Sequence, residues 1–190
     1  MEIKALSKEQ MTRLLEVARQ QSTRDYIMIA VGYQLGLRAT EICSLTAGQF
    51  DVCIDKIYCT VQRLKGSRKT TQELANGVVP LIRELIAGKR PDEYLFTGNV
   101  RTTGSHIGYT TFYQAFLKYC RLADIPQHLQ TPPVLKHSAG MAIVRSGAGV
   151  EAVQKHLGHK NLSSSGHYIE LCQAEVDAIA HKALALAGGL

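Results

Sequence analysis

One interval breaks an otherwise helical pattern. Across residues 50–79 the apolar positions change their spacing. Val52, Ile54, Ile57, Tyr58, Val61, Val78 and Val79 are β-branched or aromatic, set apart by charged residues, glycine and asparagine. On both sides of it, apolar residues recur three and four apart, the period of a helix with one buried face. A chain with one β-patterned stretch among helices is expected to be mainly α with one small sheet (α+β). The expected strands are 50–54, 57–63 and 74–80, antiparallel and three in number. The length of 190 residues supports one domain with its own core. No repeat, low-complexity tract or linker divides it, so residues 1–190 are expected to form a single domain.

The helices announce themselves by their ends. Ser7 and Gln10 form the pattern of a capping box ahead of Met11, Leu14, Leu15 and Ala18, predicting a helix to about residue 20. A second helix, 24–35, has Ser22 or Thr23 as cap. It is apolar on more than one face, which marks it as the central buried helix, and Gly36 ends it. Pro80 suits a first helical turn ahead of Leu81, Ile82, Leu85 and Ile86. Thr110 or Thr111 caps a helix carrying Phe112, Phe116, Tyr119 and Cys120. Thr131-Pro132 reads as cap and first-turn proline of another. An alanine-rich helix is expected over 173–187, with Val176, Ile179, Ala183 and Leu186 on one stripe.

Composition narrows the function classes. No apolar run reaches the ~18 residues of a membrane span, and the first ten residues lack an apolar signal core. The five cysteines are scattered and odd in number, which suits reduced thiols and a cytoplasmic protein. The net charge of +6 favours a polyanionic partner. Four cations fall within seven residues at Arg63-Leu64-Lys65-Gly66-Ser67-Arg68-Lys69, by themselves only the marks of a solvated hairpin tip. His156 and His159 have no third ligand at a suitable spacing, so no metal and no cofactor are expected.

Two short motifs carry the chemistry. Gly36-Leu37-Arg38-Ala39-Thr40-Glu41-Ile42 places an arginine and a glutamate three apart, alone an ordinary surface pair. Residues 131–172 read as two short helices, a Leu157-Gly158-His159 stop, a polar turn, and Tyr168 nine residues after His159. Taken with a lysine on the hairpin, the set resembles the catalytic domain of the tyrosine recombinases (phage-integrase family). That family shows Gly-x-Arg-x-x-Glu, a hairpin Lys, His-x-x-Arg followed by His-Ser, Leu-Gly-His and a nucleophilic Tyr. The resemblance spans about residues 4–187. It covers the catalytic domain only, so the helical core-binding domain that usually precedes it is expected to be absent. The context of Glu41-Ile42-Cys43 and Arg63-Leu64-Lys65 is similar to the short fimbrial phase-variation invertases; an excised fragment of a longer integrase is the alternative.

The resemblance implies roles. Arg38 binds the scissile phosphate and Glu41 holds Arg38. Lys65 protonates the leaving 5′-oxygen, with Lys69 as the alternative; His159 donates to a phosphate oxygen, and Tyr168 forms a 3′-phosphotyrosine. Physically, the phosphotyrosine conserves the phosphodiester energy. Cations and N–H donors stabilise the charge that spreads over the non-bridging oxygens. Two positions depart from the pattern. Pro133 stands where the family has His, and Lys136 where it has Arg; Lys136 keeps the charge but lacks the planar fork that holds two oxygens. His137 follows as a supporting residue, and His128 is a candidate to compensate. Arg63, Arg68, Lys69, Arg101 and Lys160 are the expected DNA contacts. The implied activity is site-specific recombination of double-stranded DNA. A catalytically impaired DNA-binding accessory protein and a type IB topoisomerase-like enzyme are the alternatives. The implied assembly is a tetramer on DNA with the C-terminal helix exchanged in trans, although a helix packed in cis fits the sequence equally.

Overall fold

Helix α2 (Thr23–Gln34) is apolar around its circumference and lies at the centre, with Ile27, Met28, Ile29, Ala30 and Val31 all buried. The computed structural model describes residues 3–64, 67–98, 105–173 and 177. Helix α1 (Lys8–Gln21) lies against α2 through Met11, Leu14 and Ala18. Its capping box forms: the Ser7 N–H donates to Gln10 Oε1 at 2.8 Å, and the Gln10 N–H donates to Ser7 Oγ at 3.2 Å. Short α3 (Ala39–Cys43), α5 (Tyr109–Leu122) and α6 (Pro133–Arg145) also pack against α2.

The sheet is three-stranded, antiparallel and in sequence order, β1 (Phe50–Val52), β2 (Ile57–Val61) and β3 (Thr70–Glu73). Phe50 pairs with Cys59, and Val61 with Thr70. The third strand is therefore not 74–80. Leu74 still donates its N–H to Ile57 O, but the chain then turns, and Val78 and Val79 are buried at the start of α4 (Val79–Ile86). Pro80 explains the outcome, because it lacks the N–H a ladder needs and its φ suits a first helical turn. The true β3 is polar and half exposed, so pairing with β2 defines it. The expected first strand also ends early: Val52 and Ile54 are exposed, so their alternation does not mark a buried face. Neither expected threonine caps α5, whose N-cap is Gly108. Helix α6 begins one residue later than expected, at Pro133.

Most buried apolar residues form one cluster around α2. A second cluster joins Ala139, Met141 and Val144 of α6 to Val153 and Leu157 of α7 (Val150–Leu157) and to Tyr168. Tyr168 lies on a helix, α8 (residues 163–173), where the sequence suggested only a turn before it. Residues 3–6 lie across α6, with the Leu6 N–H donating to Ser138 Oγ at 2.8 Å. The expected C-terminal helix over 173–187 lies outside the described residues apart from 173 and 177. Among the described residues, no helix is long and apolar enough to cross a membrane.

Candidate active site

Gly36 makes the turn that begins the site. Its φ is +59°, and a Cβ there would come within 2.4 Å of Leu157 Cδ2, so only glycine fits. The turn sets Arg38 as the N-cap of α3, where its N–H donates to Glu41 Oε2 at 2.8 Å and its Nη1 to Glu41 Oε1 at 3.1 Å. Glu41 also accepts the Leu64 N–H at 2.9 Å and lies 3.5 Å from Arg63 Nη1. Burial raises the pKa of this carboxyl. The two backbone N–H bonds and the charges of Arg63 and Lys136 outweigh it and hold the group below its usual range.

Arg63 is not a surface cation for DNA. Its side chain is 0% exposed and bonds inward, to Leu35 O at 2.6 Å, Gly36 O at 3.0 Å, His156 O at 3.1 Å and Thr70 Oγ1 at 2.9 Å. Its fork is spent on carbonyls that the ends of α2 and α7 leave without helical partners. The last turn of α7 is satisfied from several directions. His156 O also accepts from Gln72 Nε2, Leu157 O accepts from Lys136 Nζ at 2.9 Å, and Gly158 O accepts the Arg68 N–H at 3.0 Å. Gly158 is left-handed, with φ +67°, and presses so closely on Arg63 and Arg68 that a Cβ would collide with both.

Lys136 is thus both a helix cap and a cavity residue. Burial, then the charges of Arg38 and Arg63, lower its pKa to about 8. His159 follows the α7 stop and shares a hydrogen with Ser165 Oγ through Nδ1 at 2.9 Å. Burial, then Lys136 and Arg38, bring its pKa down to about 4, so the ring is neutral at pH 7. The Tyr168 ring is 2% exposed and lies flat on Gly140 of α6, where a Cβ would come within 2.4 Å of Cε1. Burial pushes its phenol up to about 12. Its hydroxyl is 2.9 Å from His137 Nδ1.

Arg38, Pro133, Lys136, His137, His159 and Tyr168 line one cavity of about 480 Å³. No carboxylate lines it among the described residues, and no group of His, Cys, Asp or Glu there could hold a metal. Arg68, Lys69 and Lys160 are exposed and stand outside the cavity wall, as does His128. Lys65 and Arg101 lie outside the described residues. Sequence reasoning missed Gly140 and the bond between His137 and Tyr168. One signal was present: Pro133, His137, Gly140 and Val144 share a face of α6 at helical spacing, and glycine on that face marks a close approach.

The profile described as the phage integrase family matches residues 4–175. A tyrosine recombinase of Pseudothermotoga lettingae is 28% identical over 170 residues, covering 88% of this chain and 56% of that protein. Tyrosine recombinase XerA of Pyrococcus furiosus is 28% identical over 166 residues, covering 87% and 56%. The chain therefore spans little more than half the length of these relatives. The crystal structure of XerA recombinase matches with TM-score 0.74 at 22% identity, over 94% of this chain and 64% of that one. XerH in a post-cleavage complex with a palindromic difH substrate matches with TM-score 0.76 at 19% identity, over 94% and 53%. The catalytic domain of bacteriophage HP1 integrase matches with TM-score 0.61 at 21% identity, over 100% and 99%. These likenesses establish a common fold, and with the profile match across nearly the whole chain they show that it belongs to the phage integrase family, as a tyrosine recombinase catalytic domain.

Proposed function

We propose that the chain cuts and rejoins double-stranded DNA at specific sites through a 3′-phosphotyrosine on Tyr168. The observation that carries this reading is the cavity itself: a buried phenol, a guanidinium, an ammonium and three imidazoles face one space, with no carboxylate on its wall among the described residues. Such a wall is complementary to a phosphodiester whose charge grows in the transition state. Arg38 takes the non-bridging oxygens, oriented by Glu41. His159 is oriented through Nδ1 by Ser165, which leaves Nε2 to donate. Lys136 adds charge from behind, and Lys65 or Lys69 protonates the leaving 5′-oxygen. Arg68, Lys69, Arg101 and Lys160 meet the backbone of the duplex. XerH, a structural neighbour, is bound to DNA in its crystals, which supports a DNA partner here. Assembly as a tetramer on DNA with the C-terminal helix exchanged in trans, in the cytoplasm, belongs to the same proposal.

The test is covalent trapping. A duplex enriched from random-sequence DNA by binding to the Tyr168→Phe protein is nicked beside the scissile position, so that release of a short strand prevents rejoining. The wild type is expected to give a protein–DNA adduct on a denaturing gel, and Tyr168→Phe none. An adduct that survives Tyr168→Phe, or a wild type that binds the duplex without forming one, overturns the reading; the latter leaves an accessory DNA-binding role.

A further inference from the structure

Tyr168 needs to lose a proton, and its surroundings make that hard. With the phenol pushed up to about 12, only about 10⁻⁵ of it is phenolate at pH 7. Attack therefore requires a base at the hydroxyl. The Arg38 guanidinium offers only hydrogen-bond donors. The Lys136 ammonium donates to Leu157 O, and His159 turns Nδ1 to Ser165. His137 is the group at the hydroxyl itself, with Nδ1 2.9 Å from Tyr168 Oη and the two ring centroids 6.2 Å apart. It lies one helical turn beyond Pro133 on the same wall of the cavity. The chain has proline where the resemblance places an imidazole, and an imidazole where the cavity meets the nucleophile.

We propose that His137 is the proton acceptor for Tyr168. The assignment rests on Tyr168 being the nucleophile. As Tyr168 Oη bonds to phosphorus, its proton passes to His137 Nδ1. The bond from phosphorus to the 5′-oxygen breaks, and that oxygen takes a proton from the general acid. In rejoining, the 5′-hydroxyl attacks phosphorus and returns its proton to the general acid. The phosphorus–tyrosine bond breaks, and the phenolate recovers its proton from the His137 imidazolium. Burial, then the charge of Lys136, lowers the pKa of His137, which favours the neutral ring, the form that can accept a proton through Nδ1. The groups facing it are Lys136 on α6, Arg38 at the start of α3, His159 after α7, His167 and Tyr168 on α8, and Tyr109 on α5; residues 3–6 contribute Ile3 to the wall. The imidazolium forms beside two cations, and the phosphorane charge arising in the same step offsets it.

Single-turnover adduct formation on the nicked duplex separates the possibilities. His137→Gln keeps a hydrogen-bonding group but cannot take a proton, and is expected to slow the adduct by about 10²–10⁴ at unchanged DNA affinity. In the wild type the rate falls on the acid side, with a midpoint below the usual imidazole value of about 6.5; His137→Gln loses that limb. Imidazole in the buffer restores part of the rate to His137→Ala. A duplex with sulfur as the leaving 5′-atom, which departs without a proton, rescues alanine replacement of the general acid, Lys65 or Lys69, but not His137→Gln. On the wild-type protein, ¹⁵N NMR is expected to show His137 with Nε2 protonated and Nδ1 accepting, a readout independent of how well the variants fold. Protonated Nδ1 at pH 7, a His137→Gln rate within threefold of wild type, or rescue of His137→Gln by sulfur overturns the assignment while leaving Tyr168 as nucleophile. A wild type that forms no adduct overturns the underlying reading as well.

Discussion

The two walls of the cavity both carry cations, yet they are built in opposite ways. On the α3 wall, Arg38 and Arg63 share one carboxylate, and Glu41 is closed further by the N–H groups of Arg38 and Leu64. Both cations there already contact a carboxylate before any ligand arrives, two positive charges to one negative. On the wall formed by α6, α7 and α8, Lys136, His137 and His159 bond to a carbonyl, a phenol and a hydroxyl. Burial, with the neighbouring positive charge, lowers the pKa of all three. The first wall is a finished scaffold. The second is short of one anion, and a phosphate entering the cavity would raise the proton affinities that burial has lowered.

This contrast is open to attack by mutation, and in folding free energy the effects descend from one wall to the other. Arg63→Met removes one of the two cations on Glu41 and strands several buried helix-end carbonyls, so it should cost about 3–5 kcal/mol in urea denaturation. A loss under about 1 kcal/mol would mean that the compensated wall is not what holds the fold. Gly140→Ala drives a methyl into the Tyr168 ring and should cost about 1–3 kcal/mol, with slower adduct formation because the phenol is displaced from His137. Lys136→Met should cost only about 1 kcal/mol or less. It loses one cap hydrogen bond but strands no counter-ion. Its adduct rate should nevertheless fall by about 10²–10³. Lys136→Arg in the same assay should exceed wild type at unchanged DNA affinity, since only the guanidinium offers a two-pronged grip. Equal destabilisation by Arg63→Met and Lys136→Met would erase the distinction between the walls.

What could be read from the sequence was what depends on near neighbours. The Ser7–Gln10 box, the left-handed Gly36 and Gly158, and the Arg38–Glu41 pair are all set within a few residues, and short motifs encode them. What could not be read depends on partners far along the chain. A cation within a basic run looks solvated, but Arg63 is buried by carbonyls 27, 28 and 93 positions away. His137 and Tyr168 are 31 residues apart, and the spacing of neither announces the other. Strand β3 was missed because Thr70–Glu73 carries little apolar signal, whereas Val78 and Val79, which do, serve the start of a helix.

The stem of the β2–β3 hairpin deserves to be seen as a mechanical part. On the β2 side, the Leu64 N–H is fastened to Glu41 at 2.9 Å; on the β3 side, the Arg68 N–H is fastened to Gly158 at 3.0 Å. Each leg of one hairpin is therefore pinned to a different wall, one beside Arg38 and the other beside His159. The hairpin thus ties the two walls together through its own backbone, and a substitution that frees one leg should be felt at both.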